Sequence, residues 1–183
     1  MDSFDVTKAP LAFQEWRNTF WFCTMYTNVA WTIVYVGLIQ KSMQDRSYAM
    51  PFFSQCCNIA WEITFGFVCP TDHWLVTFCF RLAVIVNSLV VYTTIRYGAR
   101  EWDYAPLVKR NLGMIYVLGI GVAITGQIQT AKQLGRSKAC FIIAICLQVV
   151  LSVGSLCQLL VRGSTRGFSF TLWFVLPRPL HIT

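Results

Sequence analysis

The sequence predicts an all-α, polytopic transmembrane bundle, and three observations carry that prediction. Of 183 residues, 56% are hydrophobic and 13% charged, about half the charge of an ordinary soluble domain. The apolar residues lie in blocks of about 20, the length that crosses about 30 Å of hydrocarbon at about 1.5 Å per residue. Charged residues collect in the short connections, and only Glu62 and Arg81 fall inside the blocks. Five full spans are expected: Phe20–Ile39, Pro51–Cys69, Trp74–Ile95, Leu112–Ile128 and Ala139–Val161. A sixth apolar run starts at Phe168 and stops at Pro177, about 14 Å of helix and too short to span. The connections are marked by Gly and Pro and none is long enough for a second domain, so residues 1–183 read as a single membrane-embedded helical domain.

The first span carries Thr24, Asn28 and Tyr35 on its polar side, the third Ser88 and Tyr92, and the fifth Gln148, Ser152 and Ser155. Such groups hydrogen-bond between helices, or line a polar pocket near mid-membrane. In the fourth span, Gly113, Gly119, Gly121 and Gly126 are expected to let helices approach closely. Trp16, Trp21, Trp74 and Trp102 mark span ends, as an interfacial aromatic belt requires.

The second span holds the group that lipid tolerates least. Glu62 lies 11 residues past Pro51, about 16 Å along a helix and close to the bilayer midplane. A carboxylate there costs about 3 kcal/mol, so it is protonated, paired or turned to a cavity. Gln55, Asn58 and Glu62 share one helical face, and Asn58 is expected to hydrogen-bond the acid. A neutral carboxylic acid held by an amide is a proton donor in a dry site. The competing reading makes Glu62 an interhelical tie, paired with Arg81 of the third span. Trp61 beside it, with Phe52, Phe53, Phe65, Phe78 and Phe80, supplies ring faces of the kind that stabilise a carbocation.

Several classes are excluded. The net charge of +7 comes without a basic run, so it belongs to the membrane surface and not to nucleic acid. It is denser on the side bearing Lys109 and Arg110, which places that side in the cytoplasm and the N-terminus on the lumenal side. All eight cysteines lie in apolar segments without a C-x-x-C, as reduced hydrophobes. His73 and His181 are too few for haem or His-rich iron sites. The D-D-x-x-D clusters that hold magnesium diphosphate are missing, since Asp45, Asp72, Glu101 and Asp103 are loop residues. Any terpene chemistry must then begin by protonation.

Four blocks carry a resemblance: the opening MDSFDVTKAP, CCNIAWEI at Cys56–Ile63, EW-x-x-APLV-x-RNL at Glu101–Leu112, and LLxxGSTRGxSxTLW at Leu159–Trp173. In this order they resemble the fungal integral-membrane terpene cyclases of meroterpenoid and indole-diterpene biosynthesis, the paxilline- and pyripyropene-type cyclases. The resemblance implies a bundle of normally seven helices, without metal or other cofactor, in the endoplasmic reticulum. It implies an enzyme that protonates the terminal epoxide of a prenylated, farnesyl-type polyketide or aromatic substrate and closes rings through carbocations, with a pathway prenyltransferase and epoxidase upstream. It makes Glu62 the general acid; the polar stripe and the neighbouring rings make Asn58 its support and Gln55, Trp61 and Phe65 the expected substrate-binding residues. The family also uses an aspartate in its last helix. This chain has no counterpart before Thr183, so it is expected to be a truncated copy lacking C-terminal helices. The alternatives are a small membrane transporter or channel subunit, or an inactive truncated cyclase.

Overall fold

The computed structural model describes residues 11–71 and 73–169. The opening decapeptide, the sixth apolar run beyond Ser169 and the end of the GSTRG block lie outside them.

The described residues fold into helices: α1 (Leu11–Glu15), α2 (Arg17–Asp45), α3 (Phe52–Ile63), α4 (Trp74–Gly98), α5 (Pro106–Leu134) and α6 (Arg136–Arg162). A π-helical turn, Thr64–Val68, extends α3, and a 3-10 turn, Ala99–Trp102, follows α4. Four helices are long and apolar enough to cross a membrane: Trp21–Asp45, Trp74–Trp102, Pro106–Leu134 and Arg136–Arg162. Their outer faces are apolar and exposed, with Phe22 and Ile33 on α2, Ile85 on α4, Val122 on α5 and Leu160 on α6. Such a surface needs lipid around it.

The expected five-span count is therefore not met on length and composition. Each long helix overruns the apolar block that announced it, and Pro106 starts α5 six residues before Leu112. Pro at a first helical position gives up an N–H that has no partner there anyway. The segment expected as the second span is different in kind. Its α-helix has 12 residues and its π-turn 5, short of the four long helices. It packs against α4, α5 and α6 and buries Ser54, Gln55, Cys56, Asn58, Ile59, Ala60 and Glu62. Phe53, Phe67 and Val68 of this segment stay exposed, so it is packed on one side and open on the other.

Close packing rests on few positions. A Cβ on Gly119 would lie 2.9 Å from Cys56 Sγ and 3.0 Å from Phe52 Cζ, so α5 meets α3 there. Gly113, Gly121 and Gly126 have nothing within 4 Å, which corrects the expectation for those three. Gly135 alone connects α5 to α6, with φ of 84°. The chain alternates direction, so the α2–α3 and α4–α5 connections and the end of α6 share one end of the bundle. All eight cysteines are unpaired.

Candidate functional site

Glu62 projects from α3 into a polar knot between α2 and α4. It is 2% exposed. Tyr35 of α2 donates its hydroxyl to Glu62 Oε1, and Asn87 of α4 donates Nδ2 to Glu62 Oε2 at 3.0 Å. Both carboxyl oxygens thus hold a donor from a different helix. Asn58, one turn before Glu62, donates Nδ2 to Tyr35 Oη at 2.6 Å. Gln55 Nε2 donates to Asn87 Oδ1 at 2.5 Å. The stripe read from sequence exists, and each of its amides holds a residue that holds the acid.

That geometry corrects two expectations. Asn58 reaches Glu62 through Tyr35 and makes no direct bond to it. Arg81 turns away: its Nε donates to Gly66 O at 3.0 Å, and its guanidinium lies 5.4 Å from the Phe67 ring. The carbonyl it holds belongs to the π-turn, where the ordinary helical ladder is interrupted. The proposed Glu62–Arg81 tie is not formed.

Asn87 is the residue that sequence reasoning missed, having selected its neighbours Ser88 and Tyr92. Ser88 is exposed and bonds only Val84 O of its own helix, and Tyr92 is 60% exposed. The usable signal was register. Asn87 stands one turn from Val90 and two from Phe80, both buried on the inner face of α4. Of the other stripes, Tyr35 reaches the acid, whereas Asn28 donates to Thr24 O within α2. Ser155 is buried on α6.

The aromatic residues divide. Trp61 packs edge-on against Phe80 at 4.6 Å and lies 6.2 Å from Phe65, and its Nε1 donates to Cys140 O at 3.1 Å. Phe65 is fully buried in the same cluster with Ala131 and Ala139. Phe52 packs on Tyr116 at 4.9 Å. Phe53 and Phe78 are exposed and face outward, away from any buried site. Trp31 adds a ring 5.4 Å from Tyr35. The Glu62 carboxyl is thus buried with a donor on each oxygen, on a segment that also carries Trp61 in α3 and Phe65 in the π-turn.

Residues 4–176 match the Pyr4-like transmembrane terpene cyclases. The chain belongs to that family. Terpene cyclase janB of Penicillium janthinellum is 40% identical over 173 residues, 94% of this chain and 71% of the relative. Terpene cyclase atmB of Aspergillus flavus is 40% identical over 176 residues with the same coverage. Terpene cyclase dpmaB of Metarhizium anisopliae is 39% identical over 95% of this chain and 72% of its own length. No solved structure matches the chain. Membership makes this an integral membrane protein and a terpene cyclase of fungal secondary metabolism, acting on a small terpenoid.

Proposed function

We propose that this cyclase protonates the terminal epoxide of a prenylated, farnesyl-type polyketide or aromatic substrate through Glu62. The supporting observation is the buried carboxyl with a hydrogen-bond donor from α2 on one oxygen and from α4 on the other. The proton passes from the Glu62 carboxyl to the epoxide oxygen. The C–O bond opens toward the more substituted carbon, alkenes of the polyene attack in turn, and a proton is lost at the end. Tyr35 and Asn87 stabilise the carboxylate left behind, because donors fixed beforehand on a forming charge need no reorganisation. Gln55 and Asn58 act one step removed, by holding Asn87 and Tyr35. Trp61 and Phe65 offer ring faces to the cation, and exclusion of water prevents its early capture.

The protein works as one membrane-embedded domain, in the endoplasmic reticulum, downstream of a prenyltransferase and an epoxidase. Those two reactions supply the chain and the strained oxygen that the acid opens. The test is epoxide dependence. Microsomes expressing the chain are fed a farnesyl-type aromatic precursor with and without its terminal epoxide. Cyclised product from the epoxide alone is expected; cyclisation of both substrates at the same rate contradicts protonation at an epoxide.

A further inference from the structure

Two of the four sequence blocks meet at the α2–α3 connection, residues 46–51. The block ending α6 closes on it from one side. Tyr48 O accepts from Arg162 Nη1 at 3.2 Å and from Gln158 Nε2 at 3.4 Å. The Arg162 guanidinium lies 3.7 Å from the Tyr48 ring, within reach of cation–π attraction. Arg162 Nη1 also donates to Arg166 O at 2.7 Å, and Gly167 donates its N–H to Asp45 Oδ2 at 2.8 Å. A Cβ on Gly167 would lie 2.4 Å from Tyr48 O, and its φ is 77°, so glycine alone lets this segment lie against the connection. The block after α4 closes from the other side. Ser47 Oγ donates to Glu101 Oε1 at 2.8 Å, and a Cβ on Gly98 would lie 2.9 Å from Tyr48 Cβ. Between the two sides Arg46 holds a φ of 49°, a conformation that a side chain resists and that persists where its surroundings over-determine it.

The connection is continuous with the packing around Glu62. Ala49 and Met50 share one core cluster with Val34, Tyr35 and Leu38 of α2, Val90 of α4 and Leu151 of α6. Tyr35 is the donor to Glu62 Oε1, and Val90 stands one turn from Asn87, the donor to Oε2. At the head of α3, Ser54 Oγ donates to Val150 O of α6 at 3.3 Å, and a Cβ on Gly154 would lie 3.2 Å from Pro51 Cγ. A hydrogen-bonded helix moves as a rod, so a shift at Pro51 carries to Glu62, 11 residues or about 16 Å further along. A misplacement of about 1 Å at an acid costs about 100-fold in rate.

We infer that the end of α6 and the turn after α4 form a clasp on Tyr48 that seats α3, and with it Glu62, between Tyr35 and Asn87. Ser47, Tyr48, Arg162 and Gly167 are then positioning residues, an assignment that rests on the acid role proposed for Glu62.

The test is hydrogen–deuterium exchange of the full chain in nanodiscs without substrate. Gly167→Ala presses a Cβ onto Tyr48 O and is expected to raise amide exchange about tenfold or more at 55–63 in α3, with 136–145 at the far end of α6 unchanged. Ser47→Ala frees Glu101 with little change of shape and is expected to raise exchange at 55–63 about threefold or more. Tyr48→Phe keeps the ring face and the carbonyl that the contacts use and is expected to exchange as wild type. Changes confined to 45–50 and 162–169, with wild-type exchange at 55–63, overturn the inference; where Gly167→Ala unfolds along all helices, Ser47→Ala decides the same question alone. In microsomes fed the epoxide, Ser47→Ala is expected to lower kcat about threefold with KM unchanged, and raised exchange with a wild-type kcat overturns a role in placing the acid. Exchange needs no turnover, so an inactive wild type counts against Glu62 as the acid while the exchange pattern still decides the clasp.

Discussion

Glu62 was legible in the sequence because a carboxylate inside an apolar block stands out against everything around it. Its partners were less legible. A helical wheel places Asn58 on the acid's face, but it does not show that Tyr35 sits between them, because Tyr35 arrives from another helix. Asn87 differs from Ser88 by one residue, about 100° of helix rotation, and only packing decides which of the two faces inward. Arg81 was the natural counter-ion by charge, yet the carbonyl released at the π-turn captured it. Tyr35→Phe removes one donor from Glu62. A hydrogen bond to a charged group contributes about 1.5–3 kcal/mol, so kcat is expected to fall about 10- to 100-fold with KM little changed. Steady-state assays of microsomes check this, and a wild-type kcat in Tyr35→Phe shows that the hydroxyl has no part in proton transfer.

Helices α2 to α6 stand in the order of the five apolar blocks, but their ends were not legible and the five-span count was not met. Charged residues were read as connections, whereas α2, α4, α5 and α6 carry charged side chains on terminal turns beyond the blocks. Backbone hydrogen bonding continues a helix wherever nothing breaks it, and a charged side chain at a membrane boundary reaches the interface. The reading of the Pro51–Cys69 block as a full span is not confirmed by the length of its helical segment, and composition does not tell burial in protein from burial in lipid. The glycine contrast belongs to this scale. Gly119→Leu drives a side chain into Cys56 and Phe52 and is expected to destabilise by about 1–3 kcal/mol. A Cβ at Gly121 has no neighbour within 4 Å, and Gly121→Leu is expected to stay within about 0.5 kcal/mol of wild type. Melting curves in detergent measure both; equal losses at the two sites show that α5 does not meet α3 at Gly119.

At the scale of the molecule, lipid-facing apolar surface on four long helices requires insertion, and family membership agrees. The protein is expected to stay in the membrane pellet through alkaline carbonate extraction; release to the supernatant contradicts the bundle. The basic residues Arg46, Lys109, Arg110, Arg162 and Arg166 gather at one end, which the positive-inside rule assigns to the cytoplasm. A glycosylation acceptor added at the N-terminus is then expected to be modified, and one inserted between Gly98 and Pro106 is not. The reverse pattern inverts the orientation.

The central claim is that Glu62 supplies the proton. The direct measurement is turnover of an epoxidised farnesyl-type aromatic substrate by microsomes carrying Glu62→Gln, beside wild type at matched protein level. Glutamine retains the shape and an oxygen acceptor but has no acidic proton, so cyclised product is expected from wild type alone. Wild-type rates in Glu62→Gln contradict the account and leave Glu62 as a tie between α2, α3 and α4.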